Sequence, residues 1–250
     1  MKLLLVNPNL TPAVTAAVLR AAEGAARPGT TLHAVTGDFG PLVIGSRAEN
    51  ALAQHGVLDL VARHAGDCDA VVLAVSLDTA LWACRELLDI PVLGMTEAGL
   101  IVASTLATKI GVLTYGARMG PFYRELAEAH GFGGRLAEVV TIDVTPQQTF
   151  IDPAAVEAAV LAGARRLVEA HGAEAVLLAG AAMAGLAPRL QPQLPVPLID
   201  GVTCAVALAE SLALLRLPKA RTGSVAPTGG REVRGVSPAL AALFARGIAP

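Results

Sequence analysis

Cysteine is scarce in this chain. The three present, Cys68, Cys84 and Cys204, are odd in number and lack metal-like spacing, so neither a disulfide framework nor a metal site is expected. Cys68 and Cys84 read as small core residues. Cys204 follows Asp200-Gly201 near a helix start, where a thiol pKa can be lowered. Aromatic residues make up only 3% of the chain, which leaves the core to Ala, Val, Leu and Ile. No block of basic residues occurs and the formal net charge is −2, which argues against a nucleic-acid partner. Long apolar runs are missing too. The opening MKLLLVNPN is interrupted by Asn-Pro too early for a signal peptide. Ala98–Ala107 and Val202–Leu217 are too short, or broken by Glu210, to cross a membrane. The expectation is a soluble, cytoplasmic protein with a small-molecule partner and no cofactor. Its apolar helices are compatible with a homo-oligomer.

What the sequence does contain is a repeat. Asp69–Glu97 and Glu174–Thr203 each run from an acidic residue through aliphatic residues, a small-residue turn and a helix to a Pro-led strand. Asp69 matches Glu174 and Ala74 matches Ala179, both 105 residues apart, before a one-residue insertion sets Pro91 against Pro197. Short apolar runs bounded by turns fit strands buried on both faces. Each copy is therefore predicted to be a β-α-β unit. The turns Val75–Asp78 and Gly180–Met183 then lie at the carboxyl ends of parallel strands, where open α/β sheets bind ligands.

Further along, Lys109–Tyr115 echoes Lys2–Pro8, which extends the duplication to the opening strand of each half. The predicted fold is α/β, with two pseudo-symmetric lobes, each a mostly parallel sheet flanked by helices. The expected divisions are 1–105, 106–215 and a tail, 216–250, that includes a short final helix. Thr11-Pro12 is expected to start a helix running to about Ala26. A strand over Thr31–Val35 leads into the glycine-rich loop Gly37–Ser46, which is either a binding loop or a connector. Helices are expected over Ala51–Ala65, Thr79–Leu88, Thr96–Ala107 and Arg118–His130, and from Asp152-Pro153 to His171. The last begins at Ser237-Pro238 and extends through Gly247. His130-Gly131 and His171-Gly172 read as helix ends, with His at the negative end of the dipole and Gly as the left-handed cap.

Asn7-Pro8-Asn9, Gly40-Pro41, Thr114, the paired units and Val196–Val202 together resemble the aspartate/glutamate/hydantoin racemase superfamily, nearest its hydantoin and allantoin branch. The resemblance spans roughly residues 1 to 227. It implies an active site in the cleft between two lobes. It also implies one cysteine ending the strand of each unit, the two thiols exchanging the α-proton across the substrate. The matching positions here are Val75 and Gly180, neither of which can carry a proton.

The candidate site is therefore defined by what remains at the two turns. Backbone N–H groups of Ser76–Asp78 and Ala181–Met183 are expected to face the cleft and to stabilise carboxylates or enolate-like oxyanions. Ser76, Asp78, Thr114 and Tyr115 are the candidate catalytic residues, with Asp78 either a base of raised pKa or a helix cap. Asn9, Val75, Ser76, Thr114, Gly180, Ala181 and Ala182 are the candidate substrate contacts, Gly180 being expected to widen the pocket. Three functions stay open. One is a racemase-like enzyme working through an enolate without thiols. Another is a decarboxylase or lyase related to arylmalonate decarboxylase. The third is a non-catalytic binder.

Overall fold

The computed structural model of the protein describes residues 1–246. The first half consists of β1 (Lys2–Asn7), α1 (Pro12–Ala25), β2 (Thr31–Thr36), α2 (Arg47–His64), β3 (Ala70–Leu73), α3 (Leu81–Leu87), β4 (Val92–Gly94) and α4 (Met95–Leu106). The second repeats the plan, with β5 (Ile110–Tyr115), α5 (Gly120–Ala129), β6 (Leu136–Ile142), a single turn α6 (Gln148–Ile151), α7 (Pro153–His171), β7 (Ala175–Ala179), α8 (Leu186–Leu190), β8 (Leu198–Asp200) and α9 (Gly201–Leu215). A final helix, α10 (Pro238–Ala245), follows the irregular tail.

Each half folds into a four-stranded parallel sheet, ordered β2-β1-β3-β4 in one lobe and β6-β5-β7-β8 in the other. The two lobes expected from the repeat are thus present with one topology. Every residue of β3 and β7 is buried, as an aliphatic strand with helices on both faces must be. A shared core runs between the sheets, from Leu3, Leu5 and Val72 to Leu113, Val176 and Leu178.

The helices do not respect the halves. α4 follows the first sheet yet packs on β7 of the second. α9 follows the second sheet yet packs on α1 and β3 of the first. The two also pack on each other, with the Gly201 Cα close against the Met95 carbonyl. Leu240 and Leu243 of α10 join the apolar cluster between α2 and the first sheet.

Several element ends differ from expectation for identifiable reasons. α2 begins at Arg47, because Ser46 Oγ accepts the Glu49 N–H (3.2 Å) while the Glu49 carboxylate accepts from Gly45 N–H (2.9 Å) and the Ser46 hydroxyl (2.8 Å). This reciprocal cap supplies the extra turn. Thr11 precedes α1 but does not cap it; its hydroxyl donates to Leu42 O (2.8 Å) and so pins the glycine-rich loop. α3 is shorter than Thr79–Leu88, since Asp78 (φ +49°) and Ala80 (φ +61°) are left-handed. α5 starts after a 3-10 turn at Ala117–Met119 rather than at Arg118. α7 and α10 start at Asp152-Pro153 and Ser237-Pro238 as expected, and Asp152 and Ser237 prove to cap them, accepting the N–H groups of Ala155 and Leu240. The expected end of the last helix at Gly247 lies outside the described residues.

Candidate functional site

The carboxyl ends of β1, β3, β5 and β7 converge on a cavity of about 250 Å³ between the lobes. Asn9, Val75, Ser76, Thr114, Tyr115, Gly180, Ala181 and Ala182 all line it. The structure therefore brings the two turns together around one space. Its mouth is flanked by matching loops, one after the second strand of each lobe. Val43, Ile44 and Gly45 come from the first, Val144, Thr145 and Pro146 from the second.

Polar groups on the walls are mostly hydroxyls. Ser76 Oγ hydrogen-bonds the phenol of Tyr123, a residue of α5 that sequence reasoning missed. Tyr123 is 2% exposed, and burial pushes its pKa up to about 12. Thr114 donates to Ala179 O (2.8 Å), tying adjacent strand ends together. The Tyr115 ring lines the cavity, but its hydroxyl is turned away to Thr149 Oγ1 (2.7 Å), and burial raises its pKa as well. Tyr115 thus gives the cavity its ring and not its hydroxyl, while Tyr123, which no local pattern marks, brings a phenol to Ser76.

Gly180 does not widen the pocket. A Cβ built there would lie 2.8 Å from Tyr115 Cε2, so the ring already fills the space that a side chain at 180 would take. Val75 closes the facing wall with an apolar surface, 5% exposed.

Asp78 belongs to the architecture behind the wall and not to the cavity lining. Its buried carboxylate accepts the N–H groups of Thr96 (3.0 Å) and Glu97 (2.8 Å), so it caps α4 rather than α3. His130 Nε2 lies 3.1 Å from the same carboxylate, and His130 Nδ1 is 3.8 Å from Glu97. Arg85 completes the chain by bonding Glu97 (2.9 Å). Desolvation raises the Asp78 pKa, the direction the sequence suggested, but the carboxyl group is engaged by backbone N–H groups and does not line the cavity. His130 thus links the lobes in addition to ending α5. In the other lobe Asp200 does the equivalent task, accepting from Gly185 N–H (2.6 Å) and Val202 N–H (2.9 Å).

The thiols are elsewhere. Cys68 and Cys84 are buried, and burial pushes Cys84 up to about 12. Cys204 is half-buried on α9, its pKa pushed up to about 11 by burial, and does not line the cavity. Among the described residues no group of three His, Cys, Asp or Glu side chains is placed to hold a metal ion. Nor is any described helix long and apolar enough to cross a membrane. Arg118, on the turn after β5, supplies the one cationic side chain of the lining among the described residues; an exposed Arg in a short loop gives no signal in sequence.

A profile of the family described as Asp/Glu/Hydantoin racemase matches residues 3–209. The chain belongs to that family. It is 35% identical over 213 residues to the hydantoin racemase of a Pseudomonas species, covering 85% of this chain and 86% of that one. The allantoin racemase structure from Pseudomonas fluorescens superposes with a TM-score of 0.91 at 31% identity, covering 94% of this chain and all of that one. An arylmalonate decarboxylase structure, at 17% identity and a TM-score of 0.60 over 98% of this chain and 99% of its own, shares the fold. This member of the family carries its two-lobed scaffold with valine, glycine and a tyrosine ring where the two turns face each other.

Proposed function

We propose that this racemase-family chain binds a small carboxylate or hydantoin-like molecule in the inter-lobe cavity and stabilises its enolate-like form. The turn amides hold the developing oxyanion, and the Ser76 hydroxyl, backed by Tyr123, returns a proton to carbon. One observation supports this most: among the described residues, those lining the cavity bring hydroxyls and a guanidinium but no carboxylate, imidazole or thiol. Neutral hydroxyls of high pKa stay protonated at neutral pH, so they can give a proton only to a strongly basic centre such as an enolate carbon and cannot remove one from an α-carbon. Loss of CO₂ creates an enolate without any base, whereas inversion of an α-carbon needs one. Decarboxylase- or lyase-type chemistry therefore suits the donor set better than two-base racemisation. The apolar Val75 wall also suits departure of a neutral molecule.

The same lack of a base supports a second reading, a protein that holds its ligand without turning it over. Incubation in D₂O with a panel of hydantoins, amino acids and aryl-substituted malonates, followed by NMR, separates these readings. The expected result is deuterium placed on carbon in a decarboxylated product, lost in Ser76→Ala. Binding with neither exchange nor CO₂ release would favour the holder. Rapid racemisation of a hydantoin would show that a base operates here and would sink the proposal.

A further inference from the structure

From Arg216 onward the chain changes character. It carries six Lys and Arg side chains and a single carboxylate, Glu232, in a protein of net charge −2. Glu232 is paired with Arg234 (2.8 Å), which leaves Lys219, Arg221, Arg231 and Arg246 to act elsewhere. This segment lies outside the family profile, which ends at residue 209. It folds back over the first lobe, with Gly223–Val225 against α3 and α10 against α2. Two cavities of about 420 and 410 Å³ lie between it and α3, and Glu86, Leu87, Pro227 and Thr228 belong to both linings. Neither cavity shares a residue with the one between the lobes. Arg221 and Arg246 line the first, Ser224 and Arg231 the second. Gly229 (φ +76°) and Gly230 (φ +77°) adopt a conformation that other residues avoid, and so turn the chain to bring Thr228 and Arg231 to one cavity. The carboxylates of the walls are Glu86 and Asp89. Asp89 pairs with Arg221 (3.3 Å), and Lys219 donates to Glu86 O. Burial holds the Lys219 ammonium below its ordinary value, and the nearby Arg221 adds to the effect. Among the described residues Arg231 and Arg246 have no ion-pair partner, and the N–H groups of Gly229, Gly230 and Arg231 have no acceptor. Four cations thus stand against two carboxylates, a surplus of two.

We infer that this cleft between the tail and α3 is a second ligand site, for a phosphate monoester with an apolar body. A phosphate monoester carries about −1.5 to −2 charge at neutral pH and three acceptor oxygens, which matches the surplus. A carboxylate or a sulfate ester is a monoanion and leaves one cation uncompensated. The phosphate sits beside Thr228, where the two linings meet, with Arg246 and Arg231 as its charged partners. A guanidinium binds phosphate oxygens through two parallel N–H bonds, and the Ser224 hydroxyl supplies a neutral donor. Leu87, Leu243 and Phe244 line the same walls and receive the apolar body. The site is independent of whatever reaction the inter-lobe cavity supports.

Calorimetric titration of the full chain with phenyl phosphate, phenyl sulfate and inorganic phosphate, at constant ionic strength, tests it. Phenyl phosphate is expected to bind at least about tenfold more tightly than phenyl sulfate, the margin of one charge-assisted contact. Its affinity is expected to fall about tenfold from pH 7.5 to pH 5, as the ester takes up a proton with a pKa of about 6. Inorganic phosphate is expected to bind more weakly than the ester, for want of the apolar body. Arg231→Gln combined with Arg246→Gln is expected to cost about tenfold or more, while Arg118→Gln in the inter-lobe cavity costs nothing. Both tail arginines are exposed, so the double variant folds, which thermal melting verifies. No binding of phenyl phosphate, equal binding of phenyl sulfate, or indifference to the double variant overturns the site. Loss of binding in Arg118→Gln places the anion between the lobes and overturns it too. Inorganic phosphate binding as tightly as the ester overturns the apolar body and upholds the phosphate site.

Discussion

At position 180 one missing side chain and one present ring fit each other. The Cβ of any residue there would meet Tyr115 Cε2 at 2.8 Å and Cδ2 at 3.1 Å, and that ring is fixed by its bond to Thr149. Gly180→Ala is expected to destabilise by about 1 to 3 kcal/mol through overpacking, although the extended backbone at 180 suits any residue. Adding both thiols as Val75→Cys with Gly180→Cys is accordingly expected to give a less stable protein that does not racemise hydantoins. A further Tyr115→Ser change, which vacates the ring's place, is needed before any inversion appears. Melting curves and chiral chromatography check these outcomes; racemisation by the double variant would show that the ring moves aside. The chain's only two tyrosines give a pH test. Both phenols are raised by burial from an ordinary value of 10, Tyr123 to about 12. The unfolded chain gives up these protons first, so their contribution to stability is complete below pH 10 and is lost as pH rises toward 12. Near-ultraviolet absorbance should show no tyrosinate at pH 10, then ionisation coinciding with unfolding; a phenol titrating freely near 10 would contradict their burial. Eight lining residues of the site were legible because a strand-end turn is marked by its own sequence. Tyr123 and Arg118 were not, because their roles depend on how α5 and the turn before it lie across the cleft. Asp78 was misread for a related reason: its partners Thr96 and Glu97 are distant in sequence, and a local cap of α3 was the nearer explanation.

Elements were read well where apolar runs were continuous and poorly where a cap or a left-handed residue decided the boundary. β3 and β7 emerged from their aliphatic runs, and α7 and α10 from Asp152-Pro153 and Ser237-Pro238. The missed first turn of α2 depended on the Ser46–Glu49 reciprocal cap, a pattern visible in sequence that a search for apolar periodicity passes over. Packing between elements is less accessible still. Gly201 starts α9 because its missing Cβ lets the chain approach Met95 O, which a Cβ would meet at 2.4 Å. That neighbour is backbone and cannot rotate away. Gly201→Ala is expected to cost about 1 to 3 kcal/mol or more by forcing α4 and α9 apart. Gly24 in α1 has nothing within 4 Å of its Cβ, so Gly24→Ala is expected to stabilise by about 0.5 to 1 kcal/mol. Denaturant titration of the two variants gives opposite signs if helix contact, and not glycine content, sets their stability. Equal effects would refute the close approach of α9 to α4.

Across the whole molecule, the internal repeat predicts two sheets but says nothing of which helix covers which sheet. A division at residues 105 and 106 falls at the end of α4, a helix whose apolar side lies on β7. The first sheet depends in turn on α9, which supplies Val202, Ala205, Val206 and Ala209 to the core shared with Leu3, Leu5 and Val72. Cross-lobe bonds surround the cavity as well: Ser76 to Tyr123, Asp78 to His130, and Arg47 to Glu125 with its guanidinium 4.5 Å over Phe122. With helices exchanged in both directions, neither half buries its own apolar faces when alone. A chain ending at Leu106 leaves the β7-facing side of α4 in water and strips α9 from β3, a loss that apolar burial at about 25 cal/mol per Å² makes large against a typical domain stability of about 5 to 15 kcal/mol. Residues 1–106 are therefore expected to show no cooperative thermal transition and no fixed near-ultraviolet circular dichroism, while the full chain melts in one step. Adding residues 107–250 as a separate chain is expected to restore both signals, because each fragment then returns the helix the other lacks. A cooperative melt of 1–106 by itself would mean that the first sheet keeps its core without α9, and that the lobes merely touch across the cavity they enclose.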